Sequence, residues 1–243
     1  MSEYKVCVII PIYNNVQTIA QVIDQCLSHT KSIIVVDDGS TDGSTEIILS
    51  KKVCHHKLSS NQGKGEAIKK GFEIAIKKGY NHAITIDADG QHYPDDIPRF
   101  IDLSRQHPNR IIVGTRSVKD NLMAGTKIGL FFSNLFFPVC TFQKCQDTQS
   151  GYRLYPIHAM ESLKLSSSRY DFEIEILVKS CWEGIQIGHL PIVAHYSSPE
   201  ERISHLKVGR DGLRGTIIYT KLIFMALFKL PRYLLKYKGV KQS

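Results

Sequence analysis

The sequence predicts an α/β fold, a mostly parallel sheet with helices on both faces. Three observations carry this expectation. Short apolar runs rich in Val and Ile alternate with segments whose apolar residues recur at helical spacing, and five such runs precede residue 116. The runs are apolar throughout rather than alternating with polar residues, as strands covered on both faces are. Three of them end in polar groups, at Pro11-Ile-Tyr13-Asn14-Asn15, Asp37-Asp38-Gly39-Ser40 and Asp87-Ala88-Asp89. In a parallel sheet these tips open on one edge, so separate turns become one pocket.

In order along the chain, Lys5–Pro11 is a strand closed by proline. Val16, Ile19, Ala20, Ile23 and Leu27 then mark an amphipathic helix up to about His29, and Ser32–Asp37 is a second buried strand. Asp37 to Ser44 is rich in turn formers and leads into a helix near Thr45–Ser50. Lys52–Leu58 is a weaker third strand. After Asn61-Gln62-Gly63-Lys64-Gly65, the residues Ala67, Ile68, Phe72, Ala75 and Ile76 mark a helix stopped by Gly79. His82–Asp87 is the fourth strand, Pro94–Gln106 a helix and Arg110–Thr115 a fifth strand. Beyond residue 116 the rhythm breaks into a polar stretch, an apolar helix over Lys127–Phe142, a turn entering a strand at Asp147–Tyr155, a helix at Phe172–Trp182 and a strand at Ile185–His195. With no shift of composition at 116, residues 1–207 read as one domain and 208–243 as a basic amphipathic helical tail.

Composition excludes several classes. The 42% apolar and 22% charged residues are those of a soluble globular protein. Six scattered cysteines without a C-x-x-C pair or signal peptide favour reduced core thiols in the cytosol over disulfides or structural zinc. Residues 203–243 hold nine Lys or Arg against Asp211 alone, so the tail accounts for the whole formal charge of +8. Because these cations are interleaved with Ile217, Leu222, Phe224, Leu227, Phe228 and Leu234, an anionic membrane surface fits better than nucleic acid. That places the protein in the cytoplasm, peripheral at the membrane face. Lys221 and Lys229 bracket an apolar stretch well short of the ~20 residues a span requires. A terminal helix packed on the domain with its lysines outward is the other reading of the tail.

The tip of the fourth strand carries the sharpest chemistry. Asp87 and Asp89 would point the same way if the strand continued, and with Gln91 beside them they suit Mg²⁺ or Mn²⁺, ions that bring substrate phosphates with them. Alone, the stretch reads equally as an Asp-rich turn ahead of the helix at Pro94. A diphosphate needs a cation or backbone amides, and the loop carrying Lys64 offers amides at a helix start. That loop lacks the G-x-x-x-x-G-K-[ST] spacing, and no G-x-G-x-x-G follows the first strand, so P-loop and dinucleotide folds are disfavoured.

Val8-Ile-Ile-Pro-Ile-Tyr-Asn-Asn15, Val35-Val-Asp-Asp-Gly-Ser-Thr-Asp42, Asp87-Ala-Asp-Gly-Gln-His92 and Ser150-Gly-Tyr-Arg153, in this order, resemble the family 2 glycosyltransferases of GT-A fold. The similarity spans about residues 5–207 and is greatest to the dolichyl-phosphate mannose synthase and polyprenyl-phosphate branch. The resemblance implies that Pro11, Tyr13 and Asp38, with Asp37 nearby, hold the nucleotide. It implies that Asp87, Asp89 and Gln91 hold the metal and donor diphosphate, and that Arg116 faces an acceptor phosphate. Lys127 falls near a second such position, and Arg202, Ser204 and Lys207 resemble a segment closing over the donor. His92 and His195 are expected to be structural or to support the residues that touch the ligand, since a lone imidazole is weak evidence.

The implied reaction is an inverting, metal-dependent transfer of one sugar from a UDP- or GDP-linked donor to a polyprenyl phosphate or other lipid-linked acceptor. Arg116 and Arg202 would cradle an oxygen that is already anionic. A hydroxyl acceptor would instead need a base, for which Glu173 and Glu175 are candidates; on a helix they lie about 200° apart, so one at most faces the site. A non-catalytic, nucleotide-binding membrane adaptor is the alternative of another class, against which the intact Asp87-x-Asp89 pair argues. The sole tryptophan, Trp182, stands outside any Gln-x-x-Arg-Trp motif, so a single transfer is favoured over polymerisation.

Overall fold

The computed structural model describes residues 3–116, 124–194 and 218–228, with the backbone alone for 124–132. Its elements are β1 (Val6–Ile12), α1 (Ile19–Leu27), β2 (Ile33–Asp37), α2 (Ser44–Leu49), β3 (Cys54–Lys57), α3 (Lys64–Lys77) and β4 (His82–Thr85). A 3₁₀ turn at Pro94–Asp96 leads into α4 (Ile97–Gln106), followed by β5 (Ile111–Arg116), α5 (Ala124–Thr141), β6 (Arg153–Pro156), the single turn α6 (Ile157–Met160), α7 (Phe172–Trp182) and β7 (Ile187–Ile192). A last helix, α8, covers 218–228.

The seven strands form one sheet in the order β3-β2-β1-β4-β6-β5-β7. Strand β6 runs antiparallel to β4 and β5, and the other pairings are parallel. The chain winds outward from β1 to β3 and then returns to place β4 on the other side of β1. That reversal makes the carboxyl ends of β1 and β4 the topological switch point, where a crevice opens.

Proline explains why the crevice opens there. In the β1–β4 ladder the Ile9 carbonyl accepts the Ile86 N–H at 3.1 Å, and the register ends at Ile9 and Thr85. Pro11, next in line to donate toward β4, has no N–H. On its other side β1 continues to pair with β2 as far as Ile12 and Asp37. Strand β4 therefore stops two residues short of the end expected from its sequence, and Asp87 and Asp89 lie in the turn beyond it.

The sheet has a core on each face. Val8, Ile10 and Ile12 join Ile19, Val22, Ile23 and Cys26 of α1 and Phe100 of α4. Cys7 and Ile9 face Ala67, Ile68, Phe72 and Ala75 of α3. Helix α7 is buried along its whole length except at the half-buried Lys179, and its two buried carboxylates, Glu173 and Glu175, are each paired with a lysine. Its Trp182 indole donates to the Cys140 carbonyl of α5 at 2.8 Å. Helix α8 sets Ile218, Leu222 and Ala226, one per turn, into the same core. No helix among the described residues is long and apolar enough to cross a membrane.

Candidate active site

The tips of β1 and β2 are stitched into a single wall. Asn14, at φ 51°, gives its N–H to the Ser40 hydroxyl at 3.0 Å, and its side-chain oxygen accepts the Thr41 N–H at 2.8 Å. Asp37 is wholly buried, accepting the Ser40 N–H at 2.7 Å and the Thr45 hydroxyl at 2.6 Å. Asp38 spends both oxygens on the loop before α3, taking the Gln62 and Gly63 N–H groups at 2.7 and 2.8 Å. Burial raises its carboxyl above the usual range, against those two bonds. The loops pack so closely that a Cβ on Gly39 would stand 2.8 Å from the Ser60 backbone, and its φ of +79° favours glycine as well.

Part of the loop before α3 is occupied within the protein: the amides of Gln62 and Gly63 serve Asp38, and that of Glu66 serves the Gly63 and Ser168 carbonyls. What this end of α3 presents is the Lys64 ammonium. It lies 2.6 Å from Asp87 and 2.5 Å from Glu173, joining α3, the β4 tip and α7. Burial works against its charge, but the two carboxylates outweigh burial and raise its pKa. Asp87 is likewise pushed up by burial and held below the carboxylate range by Lys64, with Arg116 adding a smaller share.

Asp89 behaves oppositely. Burial and the neighbouring Asp87 charge push it up to about 6, although it accepts the Gln91 N–H at 3.0 Å. The turn is anchored from behind by the Thr18 hydroxyl, which donates to the Ala88 carbonyl at 2.6 Å. His92 is buried beside Tyr152, burial lowers it to about 4, and its backbone bridges to Ala194, consistent with a structural role.

Strand β6 supplies what sequence reasoning missed. Thr85 donates to the Gly151 carbonyl at 2.7 Å, and this contact brings Gly151 against the acidic turn. A Cβ there would lie 2.5 Å from Asp87 and 2.6 Å from Lys64. Arg153 is fully buried and donates to the Glu173 and Thr148 carbonyls, each at 2.8 Å, tying α7 to the loop before β6. In that loop Asp147 grips Arg116 with both oxygens, at 2.7 and 2.9 Å. The Ser150-Gly-Tyr-Arg153 motif was the signal for this strand, but nothing local says what Gly151 and Arg153 touch.

The structure thus gathers Lys64, Asp87, Asp89, Gln91 and Arg116 around the crevice, with Pro11 and Tyr13 at the end of β1 and Asp37 and Asp38 bracing its wall. Arg202, Ser204, Lys207 and His195 lie outside the described residues, as does the side chain of Lys127. Of the two candidate bases, Glu175 turns away. Its carboxylate takes the N–H groups of Ser166 and Ser167 and pairs with Lys179 at 2.6 Å; these bonds overcome burial and lower it to about 2. It is structural, and the expectation of a base at this position is withdrawn.

The site suits a divalent cation. Two carboxylates that destabilise each other's charge, one already drawing an ammonium, form a cation-seeking pair. Among the described residues no cluster of three or more His, Cys, Asp or Glu forms a closed metal cage. Mg²⁺ and Mn²⁺ typically take one or two carboxylates and complete their shell with water and substrate phosphate.

Comparison with known proteins shows the family and the fold. The family described as Glycosyl transferase family 2 matches residues 7–161. The UDP-N-acetylglucosamine–dolichyl-phosphate N-acetylglucosaminyltransferase of Methanococcus voltae is 28% identical, with 95% of this chain and 99% of the relative covered. The polyprenol monophosphomannose synthase of Mycolicibacterium smegmatis is 27% identical over 86% of this chain and 88% of its own. Glucosyl-3-phosphoglycerate synthase of Mycobacterium tuberculosis, solved with Mn²⁺, UDP-glucose and phosphoglyceric acid, superposes with a TM-score of 0.70 at 18% identity, covering 90% of this chain and 80% of that one.

Proposed function

The chain belongs to glycosyl transferase family 2, and we propose that it transfers one sugar from a UDP- or GDP-linked donor to a polyprenyl phosphate. Its fold is GT-A and it is a glycosyltransferase. The observation that carries the finer reading is the crevice between β1 and β4. It puts Lys64 2.6 Å from Asp87, with Arg116 near enough to help hold Asp87 ionised and Asp89 beside the pair. The relatives named for dolichyl phosphate and polyprenol monophosphomannose support the acceptor class.

In this reading Asp87 and Asp89, with Gln91 beside them, would hold Mg²⁺ or Mn²⁺ and the donor diphosphate, and the ion would supply positive charge for the leaving diphosphate. Lys64 adds to that charge, and Glu173 keeps its ammonium in place. Pro11, Tyr13 and the wall braced by Asp37 and Asp38 receive the nucleotide. Arg116, held by Asp147, receives the acceptor phosphate, with Arg202 proposed as a second cation for it.

The chemistry then needs no base. A phosphate oxygen, already anionic at neutral pH, forms a bond to the anomeric carbon while the bond from that carbon to the diphosphate breaks, in one displacement with inversion. The test is to incubate the protein with Mn²⁺, a polyprenyl phosphate and UDP- or GDP-sugars in turn, and to read the lipid by mass spectrometry. A lipid phosphate heavier by one sugar residue, absent with Asp89→Ala, is expected. Donor consumption without a glycosylated lipid phosphate would refute the acceptor assignment.

A further inference from the structure

Asp87 and Asp89 stand two residues apart in one turn, yet their charges are met unequally. Lys64 lies 2.6 Å from Asp87, whereas Asp89 accepts the Gln91 N–H at 3.0 Å and, among the described residues, has no lysine or arginine within ion-pair distance. Lys64 itself is shared. Its ammonium also lies 2.5 Å from Glu173 on α7, and its side chain is only 17% exposed, so two carboxylates and little water surround it. Gly65 lets α7 come this near, since a Cβ there would stand 2.7 Å from Phe172, the residue before Glu173. The backbone at Gly151 closes in as well: a Cβ there would meet both Asp87 oxygens and the Lys64 nitrogen at 2.5 to 2.9 Å. A divalent ion entering this turn by itself therefore meets a positive charge already seated on one of the two carboxylates.

We propose that Lys64 is a stand-in cation for the acidic turn: it holds Asp87 until a donor diphosphate arrives, then passes its ammonium to that diphosphate, so that nucleotide and divalent ion bind together rather than singly. The proposal rests on the assignment of this turn to the metal and diphosphate. Charge sets the order. The cluster carries Asp87, Asp89 and Glu173 against Lys64. An ion without a diphosphate brings two positive charges beside an ammonium, and a diphosphate without an ion brings negative charge beside three carboxylates, so each is opposed. Supplied together their charges nearly cancel, and the diphosphate offers Lys64 a replacement for Asp87. Glu173 keeps the exchange local. An ammonium has three donors that turn about one nitrogen, so Lys64 can change one partner while it stays bonded to the other.

The experiment is Mn²⁺ binding to the full chain, read as loss of the free-ion electron paramagnetic resonance signal, without nucleotide and with saturating UDP or GDP, whichever of the two binds. Wild type, Lys64→Gln, Glu173→Gln and Asp89→Ala are compared, with circular dichroism as the check on folding. Lys64→Gln should bind Mn²⁺ alone more tightly than wild type by about tenfold or more, the strength of one charge-assisted hydrogen bond, and no more tightly than wild type once nucleotide is present. Glu173→Gln leaves Asp87 as the one carboxylate on Lys64. It should bind Mn²⁺ alone more weakly by about threefold or more and match wild type with nucleotide, and it carries the test if Lys64→Gln does not fold.

A lysine acting only as a nearby charge would shift both measurements equally. That result in either folded variant would overturn the proposal, as would Mn²⁺ binding without nucleotide that neither replacement changes. Asp89→Ala separates this idea from the assignment it rests on. If Asp89→Ala binds Mn²⁺ like wild type in the presence of nucleotide, the metal site itself falls and the stand-in role with it. If Asp89→Ala loses Mn²⁺ while Lys64→Gln shifts both measurements equally, the stand-in role alone falls.

Discussion

The replacement Gly151→Ala probes the acidic turn without removing a charged group. A methyl at this position would stand 2.5 Å from an Asp87 oxygen and 2.6 Å from the Lys64 nitrogen, where 3.4 Å marks an ordinary contact. Each must then retreat by about 0.8–0.9 Å. The two are tied together: Lys64 bridges Asp87 at 2.6 Å and Glu173 at 2.5 Å, so moving either disturbs the pair. A displacement near 1 Å in a positioned site costs up to about 100-fold in rate. Overpacking itself costs about 1–3 kcal/mol, or roughly 2–4 °C of melting temperature per kcal/mol for a chain of this size. The assay pairs steady-state transfer kinetics with thermal melting, using Gly188→Ala as the packing control, since its methyl would press only on the Ile112 side-chain tip at 2.8 Å. The expected result is a 10- to 100-fold loss of kcat/KM for Gly151→Ala, and near wild-type kinetics for Gly188→Ala at a comparable melting temperature. Wild-type kinetics in a folded Gly151→Ala protein would refute the placing of Asp87 and Lys64 at the reacting centre.

Four further outcomes follow from the same geometry. Below about pH 6 Asp89 holds a proton in the unliganded protein, which a divalent ion must displace; Mn²⁺-dependent nucleotide affinity should fall as pH drops through 6, and a titration series flat from pH 5 to 8 would contradict this. Glu173→Gln should reduce turnover by less than about tenfold, because its carboxylate steadies Lys64; a loss of 10²–10⁴-fold with a lost pH limb would identify a general base instead. Arg116→Ala should raise KM for the lipid phosphate by about 10- to 100-fold, as loss of one or two charge-assisted hydrogen bonds does, while nucleotide affinity measured by calorimetry stays unchanged. Glu175→Gln should destabilise the fold by on the order of 3 kcal/mol at pH 7. Its carboxylate is lowered from 4.5 to about 2, so this contribution is complete above pH 4.5 and lost as pH falls toward 2; denaturant melts of wild type and variant should converge there.

Much of the sheet was legible because burial on both faces writes itself as unbroken apolar runs, as at Val6–Ile12 and Ile33–Asp37. The acidic turn was legible only in company: alone it read equally as an Asp-rich turn, and the polar tips of the first two strands are what pointed to a pocket. Strand ends were less visible. Whether β4 reached Asp87 depended on a proline in β1, a partner far away in sequence. The direction of β6 was not visible either, because Arg153–Pro156 is only four residues long and reads alike in both directions. The partners of Lys64 lay beyond local reach for a plainer reason: Asp87 and Glu173 meet it only once β4 and α7 have packed. Asp37 and Asp38 show the opposite limit, since the turn that marks them as ligands for a nucleotide also lets them pin the neighbouring loops.

The most direct test of the crevice is nucleotide affinity with and without Mn²⁺, measured by calorimetry for UDP and GDP in wild type and Asp89→Ala. Wild type should bind one of the two nucleotides more tightly by at least tenfold when Mn²⁺ is present, and Asp89→Ala should lose that gain while remaining folded. Equal affinities with and without the ion in wild type, or a gain that survives Asp89→Ala, would contradict the assignment of the β4 turn as the metal and diphosphate site.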